Sequence, residues 1–390
     1  MKILLATVYH YPHTGGLSTH VATLKAGLQA RGHEVDVLSF SDVPELTQNM
    51  KVRGPGFLMN KLSKGKGFVF GLKTRKKMLQ KLMEAVKHKN YDIVNAQEVY
   101  ATFAALDANM PVVSTVHGYL TYEALSAGNI LKDSPEEKFL MEEEVKAYRS
   151  TREIITVDTR IKDYVKREAG VEGTAIRNFI NIDTFRPEKE KKKDFRQKHG
   201  IEADVPVFFV PRRLTKKNGV IYPILALPAV LEKYPNAKLI YAGTGEAMDE
   251  MKRLIAEHKL QASVNLLGAI PHEVIKEYYA LADVVLVPSV HSAGVEEATS
   301  ISALEAMGSG SPLIACAVGG LKEIVNHEVD GILTEEKNVE ELSAAMIDLL
   351  DHPEKGEVLA ERARRKIEEE YSHLAAAEKY EEIYQRAVKR

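Results

Sequence analysis

The chain carries a single cysteine, Cys316. One thiol excludes an internal disulfide and any cysteine-rich metal site. Its place in an apolar, strand-like run predicts a buried, inert side chain. Long hydrophobic runs are also lacking, and no apolar stretch approaches the ~18 residues needed to cross a bilayer. The opening Met1–Val8 run is too short for a signal peptide, and Tyr9-His-Tyr-Pro12 follows it with no small-residue cleavage site. A cytoplasmic protein is expected, with reversible contact at the inner membrane face left open. A formal net charge of −2 excludes a polyanion-binding surface over the whole molecule. No nucleic-acid recognition module is readable, so nucleic acid is not an expected partner. Gly-x-Gly-x-x-Gly does not follow any strand, and the Gly-Lys-Ser/Thr of a phosphate loop is missing, which argues against a dinucleotide oxidoreductase and a P-loop enzyme. No solenoid-length repeat or low-complexity tract is present.

What is present is the pattern of an ordinary globular protein, with 390 residues, 45% hydrophobic and 28% charged. That length predicts two domains, or at most three. Short apolar runs alternate with helical patterns. Strands are expected at Ile3–Val8, Glu34–Phe40, Asp92–Ala96, Val112–Val116 and Glu153–Val157. A second series follows at Val207–Val210, Lys238–Ala242, Ser263–Leu267, Val284–Val287 and Leu313–Ala315. A helix is expected near Leu17–Arg31, stopped by Gly32. Strands alternating with helices predict parallel sheets covered on both faces. The fold class is therefore α/β, with two doubly wound Rossmann-like domains facing a central cleft at the carboxyl ends of their strands. The turn-rich Arg177–Pro187 and the charged Glu188–Lys198, read as a solvated helix or linker, separate the halves. This places one domain at 1–185 and the other at 186–370.

Glu297 and Glu305, eight positions apart, are the most informative pair. The first lies in a polar loop, and the second is expected about two turns into the following helix. The helix start between them offers free N–H groups to an anion. A carboxylate cannot bind phosphate but can accept hydrogen bonds from sugar hydroxyls. The order carboxylate, helix N-terminus, carboxylate matches sugar, diphosphate and ribose. Eight helical residues would rise ~12 Å, too far for the ~5 Å carboxylate pair of a retaining glycosidase.

Four other constellations follow strands. Thr14-Gly15-Gly16 comes after the first, where paired glycines let backbone N–H groups approach a ligand. Thr115-Val-His117-Gly118 ends another and could expose an imidazole. Pro211-Arg-Arg213-Leu-Thr-Lys-Lys217-Asn-Gly219 offers a planar fork at Arg213 and a point charge at Lys217. Ala242-Gly243-Thr-Gly245 fits a tight turn or a nucleotide contact equally. Separately, no acidic residue lies between Glu45 and Glu84, a window holding ten Lys or Arg from Lys51 to Lys81 and the apolar Phe57, Leu58, Phe68, Val69 and Phe70. Such a stretch could dock on anionic lipid, line a site for an anionic or lipid-linked acceptor, or be a solvated basic loop.

With these residues the chain resembles, over essentially its whole length, the retaining glycosyltransferases of family four, which have the GT-B fold. The most specific element is Glu297-x7-Glu305 running into Leu304-Glu-Ala-Met307 and Ser311-Pro312. Pro211–Gly219, Leu267-Gly-Ala-Ile-Pro271, Ala282–Ser289 and Val318–Val325 look like further family segments. The resemblance implies donor-binding roles for Gly15, Gly16, Arg213, Lys217, Ile270, Glu297, Ser300, Ile301 and Glu305, with His117, Arg213, Lys217 and Glu297 at the reacting end. It implies a final helix, 371–390, packing back on the first domain. It also implies a nucleotide-sugar co-substrate, UDP-linked first and GDP-mannose next, a hydroxyl acceptor, and no metal or other cofactor. Two departures stand out. Ala298-Thr-Ser300 replaces the family's common Gly-Phe-Gly, and the basic motif is one residue off the usual spacing, so Lys216 rivals Lys217. A nucleotide-sugar 2-epimerase and a non-catalytic sugar-nucleotide sensor are the alternatives.

Overall fold

The structure is a computed structural model that describes residues 1–13, 15–291 and 299–389. The chain forms two units, Met1–Asn178 with His373–Arg390, and Phe179–Ser372. The first crossing comes seven residues before the expected 185. Ile180 and Phe185 belong to the second unit's core, where the Phe185 ring stands edge-on to Tyr279, with centroids 5.7 Å apart. Two apolar side chains within the turn-rich segment thus join the second unit's core.

The first unit holds a parallel sheet of β1 (Lys2–Ala6), β2 (Glu34–Leu38), β3 (Ile93–Ala96), β4 (Val112–Val116), β5 (Ile154–Thr156) and β6 (Thr174–Ala175), in the order β2-β1-β3-β4-β5-β6. The second holds β7 (Val207–Val210), β8 (Lys238–Tyr241), β9 (Val264–Leu266), β10 (Val284–Val287), β11 (Leu313–Cys316) and β12 (Ile332–Thr334), in the order β12-β11-β10-β7-β8-β9. All neighbouring strands are parallel. Val-Phe-Phe-Val and Val-Val-Leu-Val are buried throughout, as strands covered on both faces require. Strand order reverses between β1 and β3 in one sheet and between β7 and β10 in the other. Doubly wound sheets take ligands at the carboxyl ends of such switch points.

Two sequence expectations need correction. Glu188–Lys198 is not merely solvated: helix Lys192–Lys198 buries Arg196, whose guanidinium donates to Leu281 O (3.0 Å) and Asp283 Oδ2 (2.8 Å). The basic stretch is not a loop. It is helical over Asn49–Arg53, Gly54–Leu62 and Lys66–Val86, and part of its charge is used internally. Arg75 lies over the Phe40 ring (4.8 Å), Lys73 over Phe139 (3.8 Å), and Lys76 pairs with Asp107. Cys316 is buried, and burial pushes its thiol up to about 11. Among the described residues no helix is long and apolar enough to cross a membrane.

Candidate functional site

In the first unit the candidate residues follow the switch strands. Gly15 caps helix Gly16–Ala30 with φ 151°, a conformation that side-chain-bearing residues rarely adopt. A Cβ at Gly15 or Gly16 would meet nothing within 4 Å, so both backbones face open space. Thr14 lies outside the described residues. Glu98, after β3, holds the chain leaving β1. Its carboxylate accepts from Val8 N (3.0 Å), Tyr100 N (2.7 Å) and Ala101 N (3.0 Å). Burial raises its pKa to about 7 against those three bonds, which lower it.

His117 directly follows β4, half-buried, with Nε2 2.9 Å from Gln97 Oε1. Burial lowers its pKa to about 4, so the ring is neutral at pH 7. The His20 ring packs edge-on against it, with centroids 4.6 Å apart. A Cβ at Gly118 would sit 1.8 Å from Glu123 Oε1, so a side chain there would push that carboxylate aside.

The second unit is organised by a residue that sequence reasoning missed. Arg212, 8% exposed, leaves β7 and turns inward. Its Nη1 donates to Ser300 Oγ (2.9 Å), and Nη2 donates to Asn218 Oδ1 (2.7 Å) and Ser289 Oγ (2.8 Å). Those partners come from the loop after β7, the end of β10 and the N-cap of helix Ile301–Gly308. One guanidinium therefore ties together the three segments at the switch point. Ser302 Oγ adds a bond to Pro211 O (2.7 Å).

Arg213 and Lys216 are exposed and Lys217 is half-buried. The turn that presents them is clamped from two sides. A Cβ on Gly219 would lie 1.8 Å from Pro288 O, and one on Gly243 2.0 Å from Arg212 O. The Gly243-Thr-Gly245 turn thus has a structural use, letting one loop lie on another.

Ser300 is buried and Ile301 begins the helix. Ile270 is half-buried against the second core. Glu305 is buried, and Tyr279 Oη donates to its Oε2 at 2.7 Å. Burial pushes its carboxyl up to about 7, and the Tyr279 bond opposes that rise. Glu305 is the fifth helical residue, about one turn in rather than two. Glu297 lies outside the described residues. From Ile301 to Glu305 the helix rises through four residue steps, about 6 Å.

Residues 14–184 match the family model described as Glycosyltransferase Family 4, and residues 191–366 match that of Glycosyl transferases group 1. An uncharacterized glycosyltransferase of Methanocaldococcus jannaschii is 29% identical over 402 residues, covering 100% of this chain and 99% of that protein. The alpha-monoglucosyldiacylglycerol synthase of Streptococcus pneumoniae is 25% identical over 350 residues, covering 85% of this chain and 75% of that one. The solved structure of Anabaena HepE in complex with UDP superposes with a TM-score of 0.69 at 19% identity, over 99% of this chain and 100% of that one.

Proposed function

Because the chain is a glycosyltransferase of the GT-B fold and of family-four type, we propose that it moves a sugar from a nucleotide-diphosphate sugar to an acceptor hydroxyl with retention of configuration. UDP-sugars are the first donors to screen and GDP-mannose the next. The observation that carries the reading is the Arg212-centred junction, which fixes a helix N-terminus beside the basic turn at a switch point. Arg213 and Lys217, with that N-terminus, neutralise charge on the departing diphosphate. Glu297 and the backbone at Ser300 and Ile301 hold the sugar and β-phosphate, Glu305 holds the ribose hydroxyls, and Ile270 lies near the base. In the first unit Gly15 and Gly16 offer backbone N–H groups to the phosphates, and His117 contacts the sugar. The bond from the anomeric carbon to phosphate oxygen breaks, and one to the acceptor oxygen forms on the same face. The acceptor's proton passes to the leaving phosphate. The charge is carried by side chains and backbone, with no metal in these steps.

Glu297→Ala is expected to slow transfer about a hundredfold while leaving nucleotide affinity within about twofold, read by product formation and by titration calorimetry. Unchanged transfer would overturn the assignment. An epimerase would release a new sugar nucleotide without acceptor, and a sensor would bind donor without turnover.

The acceptor is proposed to be lipid-linked, met by peripheral contact with an anionic membrane. Support comes from the helical run Glu45–Leu62, which exposes Leu46, Met50, Phe57, Leu58 and Leu62 beside Lys51, Arg53 and Lys61. Apolar surface rimmed by cations suits an anionic bilayer, each basic residue adding roughly 1 kcal/mol near the surface. The chain should sediment with phosphatidylglycerol-containing vesicles and not with pure phosphatidylcholine, and Leu58→Glu with Leu62→Glu should release it at unchanged melting temperature. Equal sedimentation of wild type and variant would refute this face.

A further inference from the structure

Gln97 stands at the first switch point and is spent on nothing else. Its backbone N–H donates to Ala6 O (2.8 Å), joining the ends of β3 and β1. Its side chain is 0% exposed. Oε1 meets His117 Nε2 at 2.9 Å, while its own Nε2 is buried with no hydrogen-bond partner among the described residues. A glutamine kept for packing alone would satisfy both ends of its amide, or give way to an apolar residue of similar shape. An amide oxygen only accepts, so the ring nitrogen facing it carries the proton. A neutral imidazole held this way has its lone pair on Nδ1.

The surroundings keep the ring neutral. His20, from helix Gly16–Ala30, lies edge-on to it at 88°. His20 Nε2 is 3.2 Å from the Tyr380 hydroxyl of helix His373–Lys389, and its pKa is driven far down by burial. Glu123, on the following helix, accepts from the Tyr119 backbone N–H.

We propose that Gln97 is the positioning residue of His117, fixing its Nε2–H tautomer so that Nδ1 is the atom offered to a donor-sugar hydroxyl. This rests on the reading of His117 as a sugar contact. In that tautomer the ring accepts the hydroxyl's hydrogen, and in the other it would donate to the oxygen instead.

The test uses the full-length protein with 15N-labelled histidine, His117→Asn identifying the ring signals. Wild-type His117 should show the Nε2–H tautomer and no protonation down to about pH 5. Gln97→Leu should let both tautomers appear and lower kcat about tenfold, with donor KM within about twofold. In Gln97→Glu the new carboxylate should raise the imidazole pKa by more than about one unit. At saturating donor, kcat should then fall as pH drops through that raised value, whereas the wild-type kcat stays flat. An Nδ1–H ring in the wild type, an unchanged tautomer in Gln97→Leu, or altered tautomers with unchanged kcat would each overturn the proposal. The ring measurement needs no turnover. An Nε2–H ring in a chain that transfers no sugar would count against the transfer reading alone.

Discussion

Arg212→Leu is expected to reduce transfer by about three orders of magnitude and to lower the melting temperature by several degrees. Leucine fills part of the volume and supplies no donor. Ser300 Oγ, Asn218 Oδ1 and Ser289 Oγ would each lose a bond of 2.7–2.9 Å to the guanidinium. Each oxygen left buried without a donor costs roughly 1–3 kcal/mol, and the three do not add because they share one partner. The functional loss follows from position. Without the guanidinium the N-cap of helix Ile301–Gly308 and the basic turn are no longer held in one geometry, and displacement by about 1 Å can cost about a hundredfold in rate. Arg212→Lys should fall between, since one ammonium cannot span three acceptors in different directions. Arg213→Leu is the informative control. Arg213 is exposed, so its loss should leave stability within about 0.5 kcal/mol while still removing a cation from the leaving group. Denaturation and transfer assays on the three variants separate the roles. Wild-type stability in Arg212→Leu would show that the junction does not hold the site.

That junction marks where the sequence stopped being legible. Val207–Val210 and Val284–Val287 were readable to the residue, because a strand buried on both faces needs an unbroken apolar run; Val112–Val116 was also readable, although Ser114 and Thr115 interrupt its apolar run. Thr174–Ala175 and Ile332–Thr334 were not, being edge strands of two and three residues with no periodicity to detect. Among the candidate site residues, the strand-end glycines, His117, the basic turn and Glu305 were picked out by type and place. The partners that orient them did not. Arg212 sits beside Arg213 with nothing in sequence to say which turns inward. The decision is made by Asn218, Ser289 and Ser300, up to 88 positions away. Gln97 and His117 are 20 apart and meet only because β3 and β4 are neighbours. Charge density misled at Arg196, whose guanidinium is buried because Asp283 waits for it across the fold. At 51–81 helical geometry divides one basic run into internal contacts and an exposed apolar face.

Glu305 carries the second large expectation, and it is a dependence on pH. Burial raises its carboxyl to about 7, and only the Tyr279 hydroxyl opposes that shift. In the unfolded chain the group titrates near 4.5. Below that value both states are protonated and the site costs nothing. As pH rises toward 7, folding must keep the proton or bury a charge, so stability falls by roughly 3 kcal/mol across this window. Glu305→Gln should abolish that slope and stabilise the chain above pH 7. Binding has the opposite sign. In the proposed role, ribose hydroxyls would donate to the carboxylate and lower its pKa, so nucleotide should bind more tightly above pH 7 and release a proton when bound near neutrality. Calorimetry in buffers of different ionisation enthalpy measures that proton directly. Glu305→Gln should bind nucleotide at least about tenfold more weakly at pH 8, because an amide oxygen is a weaker acceptor and half the group becomes a donor. Glu305→Ala should lose more, with Tyr279 Oη left to its longer bond to Ser302 O (3.3 Å). A nucleotide affinity independent of pH from 5 to 8 would mean that ribose is not what Glu305 holds, and the donor would have to lie elsewhere on the second sheet.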